Sequence, residues 1–130
     1  MSEENVEVVR FVYASLNGGD IEAVLDVLDP AVEWWARGDN PETEVVKGHE
    51  GVRTFWAEIT NVLEELQIEP TEIIDAGEYV VAADSQVART RGAVTEQHEV
   101  HLGRFRDGKI IEMREFHDMA EALKAVGLEE

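Results

Sequence analysis

The sequence predicts an α+β fold with an antiparallel sheet, in the order ααβαββββα, built as one domain over residues 1–130. Three observations predict it. Apolar residues recur at helical spacing through the first half of the chain. After about Leu63 the period changes to runs rich in β-branched residues. Tight-turn signals then join those runs directly, which makes successive strands antiparallel neighbours.

The first helix is expected over Asn5–Asn17, where Val6, Val9, Tyr13 and Leu16 share a face that Val12 widens. Gly18 and Gly19 end it, since glycine accepts the positive φ of a helix cap. Asp20 caps a second, shorter helix, buried through Ile21, Val24, Leu25 and Leu28 and stopped by Pro30. "AVEWWAR" reads as a strand and "GDNPETEVVKG" as the loop after it. A third helix follows from about His49 to Leu63, with Val52, Phe55, Trp56, Ile59 and Leu63 on one side.

Four strands come next: "LQIEPTEIIDA", "YVVAADSQVART", "TEQHEVHLGRF" and "KIIEMREFH". Ala76-Gly77-Glu78 and Arg91-Gly92 mark turns between them, and Pro70 points to an edge strand or a bulge. Asp118, with Glu121 three residues on, is a capping-box start for a last helix ending at Gly127.

The charge narrows the partners. Against 11 basic residues stand 29 acidic ones, a formal net charge of −18. Such a surface repels phosphate backbones and anionic lipids, so neither nucleic acid nor membrane is expected as a partner. With no cysteine, thiol catalysis and disulfides are excluded. No basic segment precedes an apolar run at the N-terminus, and no stretch approaches the roughly 20 apolar residues of a membrane span. A cytoplasmic location is the expectation.

"RFRDGKII" is a hairpin with two readings. A two-residue Asp107-Gly108 turn pairs Arg106 with Lys109, sets His101 opposite Arg114, and gathers Val100, Leu102, Ile111 and Met113 on one face. A three-residue loop with Gly108 in a bulge pairs Phe105 with Lys109 and sets His101 opposite Met113. Glu99, His101, Gly103 and Phe105 then lie beside Ile111, Met113, Glu115 and His117. A slip of one residue exchanges the two faces.

The whole chain resembles the nuclear transport factor 2-like superfamily, in its SnoaL-like, ketosteroid-isomerase-like branch. The resemblance is carried by "LNGGD" between the first helices, "DPAVEWW" entering the first strand, and "GHEGVRTFW" opening the third helix. "RDGKI" at the last hairpin and "DMAEALKAVGL" at the end complete it. It implies a curved sheet wrapped around the helices as a cone with an apolar pocket, and a homodimer paired through the outer sheet face. Val100, Leu102 and Phe116 would then point outward and need a cover. Against ketosteroid isomerase, the general-base position falls on Trp34. The pocket tyrosines fall on Val12 and Trp56, with Tyr13 adjacent to the first, and the hydrogen-bond-donating aspartate falls on His101. Steroid isomerisation is therefore not expected. The match turns Met113 and Glu115 inward, which selects the three-residue loop.

Candidate site residues follow. His101 is read as the acid/base group, because imidazole titrates near neutrality. Glu115 and His117 are its partners and Tyr13 a donor. Trp34, Phe55, Trp56, Met113 and Glu99 line the pocket, while Trp35, on the other face of its strand, packs elsewhere or at a dimer contact. Two inward glutamates are costly unless paired, and a core histidine satisfied by its neighbours is the plainer reading of His101.

His98 and His101 point to opposite faces of a strand and cannot share an ion. Only His101, Glu115 and His117 would converge, so no metal and no other cofactor is expected. His49 is read as a surface residue. Arg89 and Arg91 read as surface charge, with reception of an anion at the pocket mouth as the alternative. "RGD" at residues 37–39 is read as chance.

Two functions stand against each other. One is a pocket protein for a small, mostly apolar ligand, cyclic ones included, with cofactor-free acid/base catalysis of isomerase, cyclase or hydrolase type. The other is a non-catalytic binding or dimerisation module of the same fold.

Overall fold

The structure is a computed structural model that describes residues 2–36 and 44–127. The elements are α1 (Ser2–Asn17), α2 (Ile21–Leu25), β1 (Leu28–Trp35), β2 (Val45–Lys47), α3 (Gly48–Val62), β3 (Glu65–Ala76), β4 (Tyr79–Thr90), β5 (Ala93–Arg106), β6 (Lys109–Phe116) and α4 (Met119–Ala125). Among the described residues the six strands form one curved sheet in the order β2-β1-β6-β5-β4-β3. The α+β class and the helices grouped in front of the sheet are as expected. The "RGD" tripeptide lies outside the described residues.

Local chemistry explains the early turns. Asn17 acts as a surrogate strand residue: its Oδ1 accepts from Ile68 N–H at 2.7 Å and its Nδ2 donates to Ile68 C=O at 2.7 Å. This pins the end of α1 to β3. Gly19 at φ 73° then reverses the chain, and Asp20 caps α2 by accepting from Ala23 N–H at 3.1 Å.

Pro30 does not stop a helix. The second helix ends at Leu25, and Pro30 sits exposed inside β1. It falls where the β1–β6 register is interrupted, between Leu28 and Glu33, so its missing N–H forfeits no ladder bond. β1 runs parallel to β6, the one parallel pairing in an otherwise antiparallel sheet. The short β2 was not expected; it adds Val45–Lys47 to the free edge of β1. At the opposite edge, Pro70 marks a bulge in β3 between Pro70 and Glu72, as its chemistry predicts.

The decisive hairpin follows neither sequence reading fully. Arg106 pairs with Lys109 around Asp107-Gly108, both at positive φ (53° and 80°), so the turn has two residues. The three-residue loop is therefore wrong. A bulge at Ile111 then adds one residue, and His101 comes to lie opposite Glu115, not Met113. The extra residue restores the inward face of Glu99, His101, Gly103, Met113 and Glu115, with Ile110 taking the inward place expected for Ile111.

The main core lies between the inner sheet face and α1–α3, with Val24, Leu28, Val32, Val80 and Ile110 at 0–1 % exposure. Each such side chain contributes about 1.5–3 kcal/mol of burial. A second cluster sits on the outer face. Val81, Val100, Leu102 and Phe116 are covered there by α4 through Met119, Ala122, Leu123 and Val126. The cover that the sequence reading sought in a partner subunit is thus supplied by the chain's own last helix. Asp118 and Glu121 place that helix, with Asp118 Oδ1 accepting from Glu121 N–H at 2.8 Å.

Candidate functional site

The inner sheet face, α1 and α3 enclose a cavity of about 390 Å³. Its walls are apolar: Val12 and Leu16 from α1, Phe55, Trp56 and Ile59 from α3, Leu66 from β3, and Trp34 and Met113 from the far strands. Trp34 and Phe55 meet at 6.4 Å between ring centroids, tilted by 44°. The α3 residues read from the sequence as a core face are mostly half-buried, because that face looks onto the cavity. Trp35 lies on the other side of its strand, where the Arg114 guanidinium sits 4.7 Å from its ring centroid.

One end of the cavity is polar, and strand register assembles it. Asp84 on β4 pairs across the sheet with Glu99 on β5, while His101 pairs with Glu115 on β6. All four therefore share the inward face. Asp84 has no exposed side-chain surface. Its Oδ2 accepts from the Tyr13 hydroxyl at 2.7 Å and from His101 Nδ1 at 2.8 Å, and its Oδ1 accepts from Gln86 Nε2 at 3.1 Å. His101 Nε2 points the other way, 3.5 Å from Glu99 Oε1 and 3.7 Å from Glu115 Oε1. Trp34 Nε1–H donates to Glu115 Oε2 at 2.8 Å, and Gln86 Nε2 also donates to Glu99 Oε1 at 3.0 Å.

These contacts decide the charges. Burial works against a charged His101, yet its hydrogen bond to Asp84, the Glu115 carboxylate near its Nε2, and the charges of both push its pKa up to about 10. Burial likewise opposes ionisation of Asp84, but the bond and charge of His101, with bonds from Tyr13 and Gln86, hold it below its ordinary value. Glu115 is held low against burial by His101 and Trp34. Glu99 is pushed up, first by burial and then by the charge of Glu115. Tyr13 is kept a phenol by burial, then by the Asp84 charge. Near neutrality the site holds an imidazolium clamped from behind by a buried carboxylate. Two further carboxyl groups stand in front of it.

The arrangement is suited to moving a proton. Asp84 fixes the His101 ring, and the Nε2–H it presents is beyond ordinary hydrogen-bond distance of either glutamate. That donor is free to turn to an oxygen in the cavity, with a carboxylate alongside to take or return a proton.

Of the sequence-predicted residues, the structure brings His101, Glu115, Glu99, Tyr13, Trp34, Phe55, Trp56 and Met113 to this cavity. It does not bring His117, which is exposed just past the end of β6, where the chain leaves the sheet for α4. The triple of His101, Glu115 and His117 therefore never forms. Glu99, His101 and Glu115 do place donor atoms within 4.8 Å of one another. To ligate a metal, His101 would have to give up its Nε2 proton.

His98 is exposed, and His49 is half-buried with Nε2 2.9 Å from Leu28 C=O, away from the cavity. Arg89 is paired with Glu65 at 3.4 Å, and Arg91 sits in a turn at φ 49°. Asp84 and Gln86 were missed. The signal was present: in "VVAADSQ" a lone acid continues the inward row of Val80 and Ala82, where an unpartnered carboxylate would be prohibitive.

Comparison with known proteins fixes the family. The pattern of the SnoaL-like domain matches residues 8–113. The chain belongs to the SnoaL-like domain family. The crystal structure of TerC co-crystallised with polyporic acid superposes with a TM-score of 0.78 at 28% identity, covering 93% of this chain and 96% of that one. A nuclear transport factor 2-like protein of unknown function from Burkholderia pseudomallei gives 0.78 at 25% identity, over 95% of this chain and 98% of that one. A candidate SnoaL-like polyketide cyclase from Jannaschia gives 0.77 at 21% identity, over 98% and 94%, a likeness of fold alone. No curated protein matches the chain. No helix among the described residues is long and apolar enough to cross a membrane.

Proposed function

We propose that this SnoaL-like protein binds a small, mostly apolar cyclic ligand carrying a carbonyl group, and catalyses proton transfer next to that carbonyl without a cofactor. The observation that carries the reading is the pairing of an apolar cavity with a buried Tyr13–Asp84–His101 chain at its polar end. His101 would donate from Nε2 to the carbonyl oxygen, where the imidazolium stabilises developing enolate charge. Glu115, held ionised, would take the adjacent proton, and Glu99, whose carboxyl is pushed up, would exchange it. Asp84 positions the ring from behind and is itself held by the Tyr13 hydroxyl. Isomerisation and ring closure both pass through such an enolate. The co-crystallisation of TerC with polyporic acid supports a small organic ligand here.

A non-catalytic module of the same fold draws support from the cavity alone. It gives no reason for placing four ionisable groups at one end. The test is exchange of the α-protons of 2-tetralone in D2O, followed by NMR. The protein should accelerate exchange over buffer, and His101→Gln and Glu115→Gln should each lose about 10²-fold or more of that acceleration. Absence of both exchange and binding, the latter followed by tryptophan fluorescence, would end the proposal.

A further inference from the structure

The charges facing the cavity are one-sided. Among the described residues its lining contains no lysine and no arginine, while Glu99 and Glu115 both reach it. Its single positive group, His101, is already matched at Nδ1 by Asp84, which lies behind it with no exposed side-chain surface. Asp84 thus answers the imidazolium from behind, and the two glutamates in front of it leave acidic groups in excess at this end of the cavity. Arg53 lines a neighbouring groove that Trp56 also borders. It is held there by Glu22 at 2.8 Å and by Glu50.

Among the described residues a carboxylate or phosphate ligand would thus meet two acids, with His101 already paired to Asp84. An ammonium group would meet two acidic side chains within an aromatic-walled site. Tyr13, Trp34, Phe55 and Trp56 all line that site, and aromatic faces attract cations as well as apolar bodies. The −18 formal charge of the whole chain draws cations toward the protein from solution.

We infer that the ligand is an amine: a cyclic apolar body bearing a protonated amino group, seated between Glu99 and Glu115 with its rings against Trp34, Phe55 and Trp56. The inference rests on the proposed ligand-binding role of the cavity and adds the charge of what it binds. The upward push on Glu99, exerted by burial and by Glu115, fits a place where a cation is wanted. An ammonium beside these groups relieves that repulsion and lets Glu99 ionise, while Glu115, already held ionised by His101, keeps its place as the base. Each N–H···carboxylate bond so formed is charge-assisted and roughly twice as strong as a neutral one.

Three probes with one body separate the outcomes: 1-naphthylmethylammonium, 1-naphthylmethanol and 1-naphthoate, titrated calorimetrically into the wild-type protein near neutrality. The ammonium should bind about tenfold or more tighter than the alcohol, and the carboxylate weakest. Glu99→Gln, an isosteric change at a half-exposed side chain, should erase most of the ammonium's advantage while leaving the alcohol within about threefold. A melt of the variant checks its fold, and Glu115→Gln serves as the second variant. Equal binding of ammonium and alcohol, or tighter binding of the carboxylate, would overturn the amine inference and leave the ligand-binding reading standing. Binding of none of the three would remove both.

Discussion

Asp84→Asn keeps the shape of the side chain and removes the negative charge behind His101. Breaking a buried ion pair by neutralising one partner costs about 3–5 kcal/mol. Here the lower end applies, about 3 kcal/mol, because Glu99 and Glu115 stay within 3.5 and 3.7 Å of Nε2 and His101 keeps 15 % exposure. The loss should depend on pH in a specific way. His101 has a raised pKa, so its contribution is complete below the ordinary 6.5 and disappears as pH rises through about 10. Asp84 has a lowered pKa, so its contribution is complete above the ordinary 3.8 and disappears as pH falls through the folded-state value. The gap between wild type and variant should therefore be widest between the ordinary 3.8 and 6.5, remain large at neutrality, and close toward both extremes. Urea unfolding followed by circular dichroism across that range measures it. A variant within about 0.5 kcal/mol of wild type near neutrality, or a gap independent of pH, would refute the clamped imidazolium.

Other predictions follow from the same geometry. Tyr13→Phe removes one buried bond to an ionised acceptor while His101 and Gln86 still hold Asp84; it should cost about 1.5–3 kcal/mol by denaturant titration. Trp56→Ala should cost clearly less than the 3–5 kcal/mol of a packed core tryptophan, since Trp56 is half-buried between the cavity and the adjoining groove. A loss in the full range would place it in a solid core instead. Leu123→Asp should loosen α4 from Val100, Leu102 and Phe116 and increase binding of a hydrophobic dye. The homodimer expected from the family is tested by sedimentation at micromolar concentration. A protein that is only monomer there would remove it.

The fold was largely legible because its signals are local. The helical spacing of Val9, Val12 and Tyr13, the Gly18-Gly19 reversal and the Asp118 cap each act within a few residues. The β1 region was not, because Pro30 is tolerated by an interruption in pairing with β6, a strand about eighty residues away in sequence. The site was half legible. His101, Glu99 and Glu115 were found, but by a wrong turn whose error the bulge at Ile111 cancels, since bulge and three-residue loop change parity alike. Asp84 was passed over because its meaning lies in cross-strand register: only when β4 is set against β5 does it stand beside Glu99 and behind His101. His117 was over-read for the opposite reason, as alternation was carried one residue beyond the end of β6.

The central claim is that His101 is held as an imidazolium at the polar end of a ligand cavity. An NMR titration of the four histidines, with and without 2-tetralone, tests it most directly. His101 should stay protonated until about pH 10, and its signals should move when the ketone is added. A His101 that titrates like a free imidazole and ignores the ketone would contradict it.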